Sequence, residues 1–464
     1  MSSVLVLGGG FAGLLAAAAA SPHAREVTVL ERDTFPEGPQ LRRGQPQARH
    51  PHFLAPGGVL GLEQLLPGAT HRLLAAGANR IGVGADVLFR PGAGGWLDRH
   101  DIGRYGISCT RQLLDHVVRE MVRERGGVTF RPECDVVGLL GDGRAVRGVR
   151  VREPRIAATE TLEADLVIDA TGRGSRAGQW LDQLGIVVPA AEIVDSGHAY
   201  ATRVYRARPG AESGFPLILI QADGRSGNPG GNATLLPVED GQWLVAVGGT
   251  RGMNMPASNA DFVEFACERV PHPLIGELLA EAEPLSGTMT SRSTCNRRYR
   301  FDRVRAWPRG FVVAGDAASA MNPVYGQGLS VAARSANALR SGFAARGVDP
   351  AAAARLQRSI CRAAQAPWQM ATSQDRQFRA TEGGGSPVLD RVQLSYGERV
   401  FRAAASRPTV GAVVSEVMFL ARPALAMGHP AVVAGALLGP RRPVRSEPPL
   451  TAWERGFVTG GRVA

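Results

Sequence analysis

The sequence predicts an α/β fold, laid out as an α+β pair of domains: a parallel sheet wrapped by helices, an antiparallel sheet inserted into it, and a helical C-terminal region. Three observations predict it. An apolar run enters a glycine triplet at the N-terminus, two later apolar runs end in acid-and-glycine turns, and strand-like alternation fills the gap between those two. The first run, residues 4–13, reads Val-Leu-Val-Leu-Gly-Gly-Gly-Phe-Ala-Gly and leads into an Ala/Leu-rich helix. Gly8 suits the tight turn, Gly10 lets a pyrophosphate approach the backbone, and Gly13 lets helix pack on strand. The free N–H groups at the helix start favour an anion. A second strand, 27–30, ends at Glu31, about twenty residues on, where a carboxylate reaches a ribose hydroxyl.

The second apolar run, 164–169, delivers Asp169 and Gly172 to a turn. The third, 310–314, ends in Gly315-Asp316 and is followed by Asn-Pro-Val-Tyr-Gly-Gln-Gly-Leu-Ser over 322–330. An acid at such a strand end can accept from ribitol hydroxyls, and small residues let the backbone reach a flat ring. Between these runs, 198–206, 215–222 and 232–250 read as strands with turns at Asp223-Gly224 and Asp240-Gly241. They predict a platform over the ligand, with Tyr200, Leu217, Leu219, Leu236 and Val245 as candidate cleft or core residues.

Composition narrows the partners. The formal charge of +11 comes from 53 basic and 42 acidic side chains, and every basic one is arginine. With no lysine, Schiff-base chemistry and a P-loop phosphate lysine are excluded. The arginines are scattered, which speaks against a nucleic-acid partner. The five cysteines form no close pair, so no zinc cluster, redox CxxC or disulfide framework is expected, and buried inert thiols are. No metal site is expected. The apolar 14–20 stretch has no basic region before it, which predicts a cytoplasmic protein without a secretory signal.

Taken in this order, the three segments resemble those of the FAD-dependent, aromatic-hydroxylase-like flavoprotein monooxygenases over about residues 1–345. The resemblance implies a Rossmann-type FAD-binding domain (1–180 and 290–345), an antiparallel-sheet substrate domain (181–289) and a C-terminal helical region (346–464). It implies that Gly8, Gly10 and Gly13, with Phe11 and Ala12, cradle the pyrophosphate, and that Glu31 holds the adenosine ribose. Asp316, with Gly315, would serve the ribitol side, and Pro323, Gly326 and Gly328 would lie along the isoalloxazine. Arg32, Arg42, Arg49, Val136, Asp169 and Gly172 join the implied cofactor set. So does Arg111, an arginine opening a helix, where a cation is slightly unfavourable unless an anion lies near.

Residues 41–52, 194–203 and 291–298 further resemble the flavin epoxidases of polyether pathways, although those carry a histidine where this chain has Gln327. The implied reaction is insertion of one oxygen atom, by epoxidation or hydroxylation, into a hydrophobic polyketide-like substrate. Dryness and orientation would do the protein's share of the work, so no catalytic residue is named. Related FAD-requiring [4+2] cyclases offer a redox-neutral alternative. Gly82-Val83-Gly84-Ala85 is no second nucleotide module, which leaves transient NADPH or a separate flavin reductase as electron donor. His50 and His52 are candidates for tuning the flavin or linking to it covalently. The apolar 423–440 stretch is too short and too interrupted for stable membrane insertion, and is expected to pack as helices.

Overall fold

The computed structural model describes residues 2–152, 159–224, 226–227, 229–385 and 387–458. Its first sheet is wholly parallel, in the order Phe311–Val313, Leu166–Asp169, Ser3–Leu7, Glu26–Leu30, Val128–Arg131. Ser3–Leu7 is central, with Leu5 opposite both Val167 and Thr28. Val4 to Leu7 are all buried because both faces are covered, which is why the strand reads as an unbroken apolar run. Val4 and Val6 face the helices Phe11–Ala20, Arg111–Glu124 and Gly328–Arg346; Leu5 and Leu7 face a three-stranded meander, Asp135–Gly141, Val146–Arg152 and Thr159–Glu163. The chain leaves the central strand for a neighbour on one side and later returns on the other, so the crevice beyond its carboxyl end is a topological switch point.

A six-stranded sheet stands beside this layer, in the order Met289–Ser291, Ala199–Arg206, Gln242–Gly249, Gly231–Val238, Leu217–Ile220, Val87–Arg90. Its hairpin turns at Asp240-Gly241, where both residues take positive φ (60° and 61°). The sheet draws in Val87–Arg90, which pairs parallel with Leu217–Ile220, so it is not wholly antiparallel. That strand is far away in sequence and carries no marker of its partner.

Alternation splits the platform's residues between two cores. Val245, with Ala201, Tyr205 and Leu235, packs under the helices Asn259–Glu268 and Leu274–Leu279. Leu217, Leu236 and Leu219 pack on the opposite face against Val400, Val410, Val414 and Val432 of the C-terminal helices Pro387–Ala404, Pro408–Met418 and Pro430–Leu438. Those helices therefore cover the platform. Leu217, Leu236 and Val245 are buried in these cores and the part-exposed Leu219 packs against one of them; Tyr200, also buried, belongs to neither, and its ring is edge-on to His50 at 4.6 Å. The expectation of buried thiols holds for Cys109 and Cys134, whereas Cys267, Cys295 and Cys361 are part-exposed. Among the described residues no helix is long and apolar enough to cross a membrane.

Candidate functional site

The Gly-rich turn is built as its glycines require. Gly8 has φ +92°, and a Cβ there would lie 2.9 Å from the Ala170 carbonyl. A Cβ on Gly13 would lie 1.8 Å from the Gly8 carbonyl oxygen. Gly10 precedes the helix Phe11–Ala20, whose first turn has neither a side-chain cap nor an acidic residue. Its N–H groups are therefore available to an anion.

Around this turn the predicted residues divide. Glu31 is buried; it accepts from Gly9 N–H at 2.8 Å and Asp33 N–H at 3.1 Å, and lies 3.0 Å from Arg42 Nη1. Arg42 also donates from Nη2 to the Gly9 carbonyl at 3.0 Å. The pair thus ties the end of the second strand to the loop. Val136 is buried in the meander, which begins beside Glu31, where Cys134 N–H donates to the Glu31 carbonyl at 2.8 Å. Arg32 and Arg49 stay at the surface, where Arg32 reaches the Gly44 carbonyl at 3.4 Å and Arg49 the Met289 sulfur at 3.9 Å. Neither is drawn into the cradle.

Two expectations change in detail. Asp169 is fully buried and spends its oxygens on its own turn: Thr171 N–H at 2.9 Å, Thr171 Oγ1 at 2.6 Å and Ser175 Oγ at 2.6 Å. Burial pushes its pKa up against these bonds. It shapes the turn that presents Gly172, at φ +72° with open space beside it, and has no free face for a ligand. Arg111 is the first residue of Arg111–Glu124, and its Nε donates to Asp115 Oδ1 at 2.7 Å. The adjacent carboxylate, one turn on, offsets the unfavourable helix terminus, so the position alone is no argument for a phosphate. The guanidinium still sits 5.7 Å from the Phe11 ring, at the mouth of the cradle.

Asp316 closes the other side. It lies in the 3₁₀ turn Gly315–Ala317; burial raises its pKa, while Arg173, Arg111 and Arg297 pull it back. Gly315 abuts Ala12, and a Cβ on Gly328 would lie 3.9 Å from Asp316 Oδ1. The helices Phe11–Ala20 and Gly328–Arg346 thus both begin beside this acid. Pro323 opens the turn Pro323–Tyr325, and Gly326 follows at φ +64° with open space around it. Gln327 Oε1 and Ser330 Oγ are buried without hydrogen-bond partners. Uncapped helix ends, a glycine cradle, an acid beside the second helix start and orphaned polar atoms at that start fit a flavin dinucleotide.

A residue no motif revealed anchors this loop. Asp375, at the end of the helix Gln365–Asp375, is 1% exposed and accepts from Tyr325 Oη at 2.7 Å, Asn296 Nδ2 at 2.5 Å and Asn322 Nδ2 at 3.1 Å. Asn322 N–H in turn donates to Asn296 Oδ1 at 2.8 Å. The partners lie 50 to 79 residues away, and an Asp closing the helix Gln-Ala-Pro-Trp-Gln-Met-Ala-Thr-Ser-Gln-Asp carries no local signal.

Burial disfavours the charged form of His50, His52 and His198. His50 is buried and shares a hydrogen bond between Nδ1 and Thr202 Oγ1 at 2.8 Å; burial and Arg49 lower its pKa to about 4. His52 Nδ1–H donates to the His50 carbonyl at 2.8 Å, and burial with Arg111 lowers its pKa to about 3. Burial also lowers His198, below the platform, to about 4. Cross-strand register puts Tyr200 opposite Gly248 and Thr202 opposite Ala246, with Asn232 and Thr234 one strand further. This end of the platform face is small and polar, unlike the aliphatic end under the C-terminal helices. Among the described residues no group of His, Cys, Asp and Glu could hold a metal ion.

Comparison with known proteins supports an FAD-binding fold. A family model described as "FAD binding domain" matches residues 1–374. Protein Rv3254 of Mycobacterium tuberculosis (strain ATCC 25618 / H37Rv) is 30% identical over 422 residues, spanning 88% of this chain and 87% of that protein. A flavoprotein/dehydrogenase from Cytophaga hutchinsonii superposes with TM-score 0.66 at 15% identity, covering 94% of this chain and 98% of that one. The p-nitrophenol 4-monooxygenase PnpA from Pseudomonas putida DLL-E4 gives 0.58 at 19% identity, covering 95% and 100%. CmlS, a flavin-dependent halogenase, gives 0.64 at 17%, covering 90% and 77%. At these identities the structures speak for the fold.

Proposed function

The chain belongs to the FAD binding domain family, and on that premise we propose that it is a monooxygenase that inserts one oxygen atom into a hydrophobic, polyketide-like substrate by epoxidation or hydroxylation. The observation that carries the reading is the juxtaposition of cradle and platform: His50, from the segment following the cradle, bonds to Thr202 on the small, polar end of the six-stranded sheet. FAD, when bound and reduced, supplies the activation of O2 for transfer to an electron-rich carbon.

Within this reading the residues hold, orient and keep out water. Gly8, Gly10, Gly13 and the first turn from Phe11 and Ala12 would hold the diphosphate. Arg42 and Glu31 would define the adenosine end, and Asp316 the ribitol. Pro323, Gly326 and Gly328 would bring backbone to the ring, with Asp375 fixing their loop through Asn322 and Tyr325. Ala246, part-exposed on this face, would floor the site for a greasy chain, and Tyr200 and Asn232 would orient its few polar groups. His50 and His52, neutral near pH 7, offer hydrogen bonds without bringing positive charge. Transient NADPH or a separate flavin reductase would supply the electrons.

The test follows O2 uptake and product mass for FAD-loaded protein with a linear polyene substrate, with and without NADPH and a flavin reductase. A product heavier by one oxygen, formed only with reductant, is expected. An isomer of unchanged mass formed without reductant would overturn the oxygenase reading in favour of a cyclase.

A further inference from the structure

The apolar stretch from Pro423 to Pro440 is only half covered. It forms the turn Ala424–Gly428 and the helix Pro430–Leu438, in which Val432, Gly435 and Ala436 are buried. A Cβ on Gly435 would lie 2.6 Å from Val410, so this side is packed hard on the neighbouring helix. The other side meets water: Leu425 is 91% exposed, Leu437 73% and Leu438 71%, with Val433 beside them. A helix apolar on every side belongs in a core or at a membrane, and large contiguous apolar patches mark interaction sites. Burial of one side accounts for only half of this composition.

Charge selects the partner. Residues 417–446 contain no Asp or Glu and four arginines, Arg422, Arg441, Arg442 and Arg445. Arg441 makes no ion pair among the described residues, and Arg442 and Arg445 share the single carboxylate of Asp98, at 2.7 and 2.6 Å. Arg422 pairs with Glu416 at 3.2 Å. The rim therefore keeps a positive excess. A second copy docking by two-fold symmetry would bring the same cationic rim against itself. An anionic surface that also accepts leucines answers both features.

We propose that this patch docks the protein reversibly on bilayers containing anionic phospholipid, with Leu425, Leu437 and Leu438 entering the acyl boundary and the arginines meeting lipid phosphates. The nine-residue helix is less than half the roughly twenty residues a span needs, so it lies on the surface. The inference does not rest on the oxygenase reading.

The experiment is co-sedimentation of the FAD-loaded protein with vesicles of phosphatidylglycerol and phosphatidylcholine, against phosphatidylcholine alone, at low and high salt. Wild type is expected to sediment with the anionic vesicles and to be partly released by salt. The charge-neutral triple variant Leu425→Ser, Leu437→Ser, Leu438→Ser is expected to lose about tenfold or more in partitioning with its flavin absorbance unchanged. Leu425→Ser alone, on the exposed turn, gives a smaller loss and serves should the triple variant misfold. Failure of wild type to bind, or equal binding by the serine variants, would overturn the proposal, the latter assigning attraction to bulk positive charge. A concentration-dependent dimer abolished by the same serines, without vesicle binding, would overturn it in favour of a second copy.

Discussion

Gly13, in the first turn of the helix Phe11–Ala20, and Gly174, closing the 3₁₀ turn Gly172–Gly174, both follow glycine-rich sequence but differ in what a methyl group would meet. At Gly13 it would collide with the Gly8 carbonyl at 1.8 Å; at Gly174 nothing lies within 4 Å. Gly13→Ala is expected to lower stability by about 3 kcal/mol and to weaken FAD binding, read by urea denaturation and flavin fluorescence titration. Gly174→Ala should stay within about 0.5 kcal/mol of wild type. His50, His52 and His198 are harder to protonate in the fold than in the unfolded chain, where histidine titrates near 6.5. Their contribution to stability falls as pH drops from 6.5 to about 4 for His50 and His198, and to about 3 for His52, because the unfolded chain takes up protons first. Nitrogen-15 NMR should show these three rings neutral at pH 5.5, and His52→Gln should flatten the acid loss of urea stability. A His52 midpoint near 6.5 would refute this placement of the ring between the His50 carbonyl and Arg111.

The helix Gln365–Asp375 and the turn Pro323–Tyr325 meet through one carboxylate, which makes the loop dependent on a distant element. Asp375→Ala removes the acceptor for Tyr325, Asn322 and Asn296, leaving buried donors unsatisfied. A loss of about 3 kcal/mol is expected, with weaker FAD binding. Tyr325→Phe removes one of these bonds and should cost about 1 kcal/mol. Comparable thermal melts for Asp375→Ala and wild type would show that the network does not hold the loop. The first strand, its helix and the acid-ended strands were legible in the sequence because glycine chemistry and apolar runs are local. Asp375 was not legible, since its importance lies in partners at least 50 residues away.

Across the whole molecule, the parallel sheet and the platform are separate cores, joined where His50 bonds to Thr202 and where Thr110 N–H donates to Glu239 Oε2 at 2.9 Å. A ligand held across that junction binds the native state alone, so FAD should raise stability by about 2.7 kcal/mol at a hundredfold excess over its dissociation constant. Melting curves at graded FAD concentrations check this. A melting temperature independent of FAD would contradict a cradle assembled only in the fold.

By itself the sequence determined the parallel-sheet domain, the glycine turn, the placement of Glu31 and Asp316 at strand ends and the alternating strands of the platform. These follow from short-range rules, namely glycine's conformational freedom, the two-residue period of strands and the burial of apolar runs. Only tertiary structure decided that Asp169 serves its own turn, that Arg111 is matched by Asp115 and that Arg32 and Arg49 remain outside. It also decided that Val87–Arg90 completes the platform and that the C-terminal helices cover the platform's aliphatic end. Each depends on which surfaces meet when distant segments pack, and desolvation there, more than residue type, sets what a side chain is free to do.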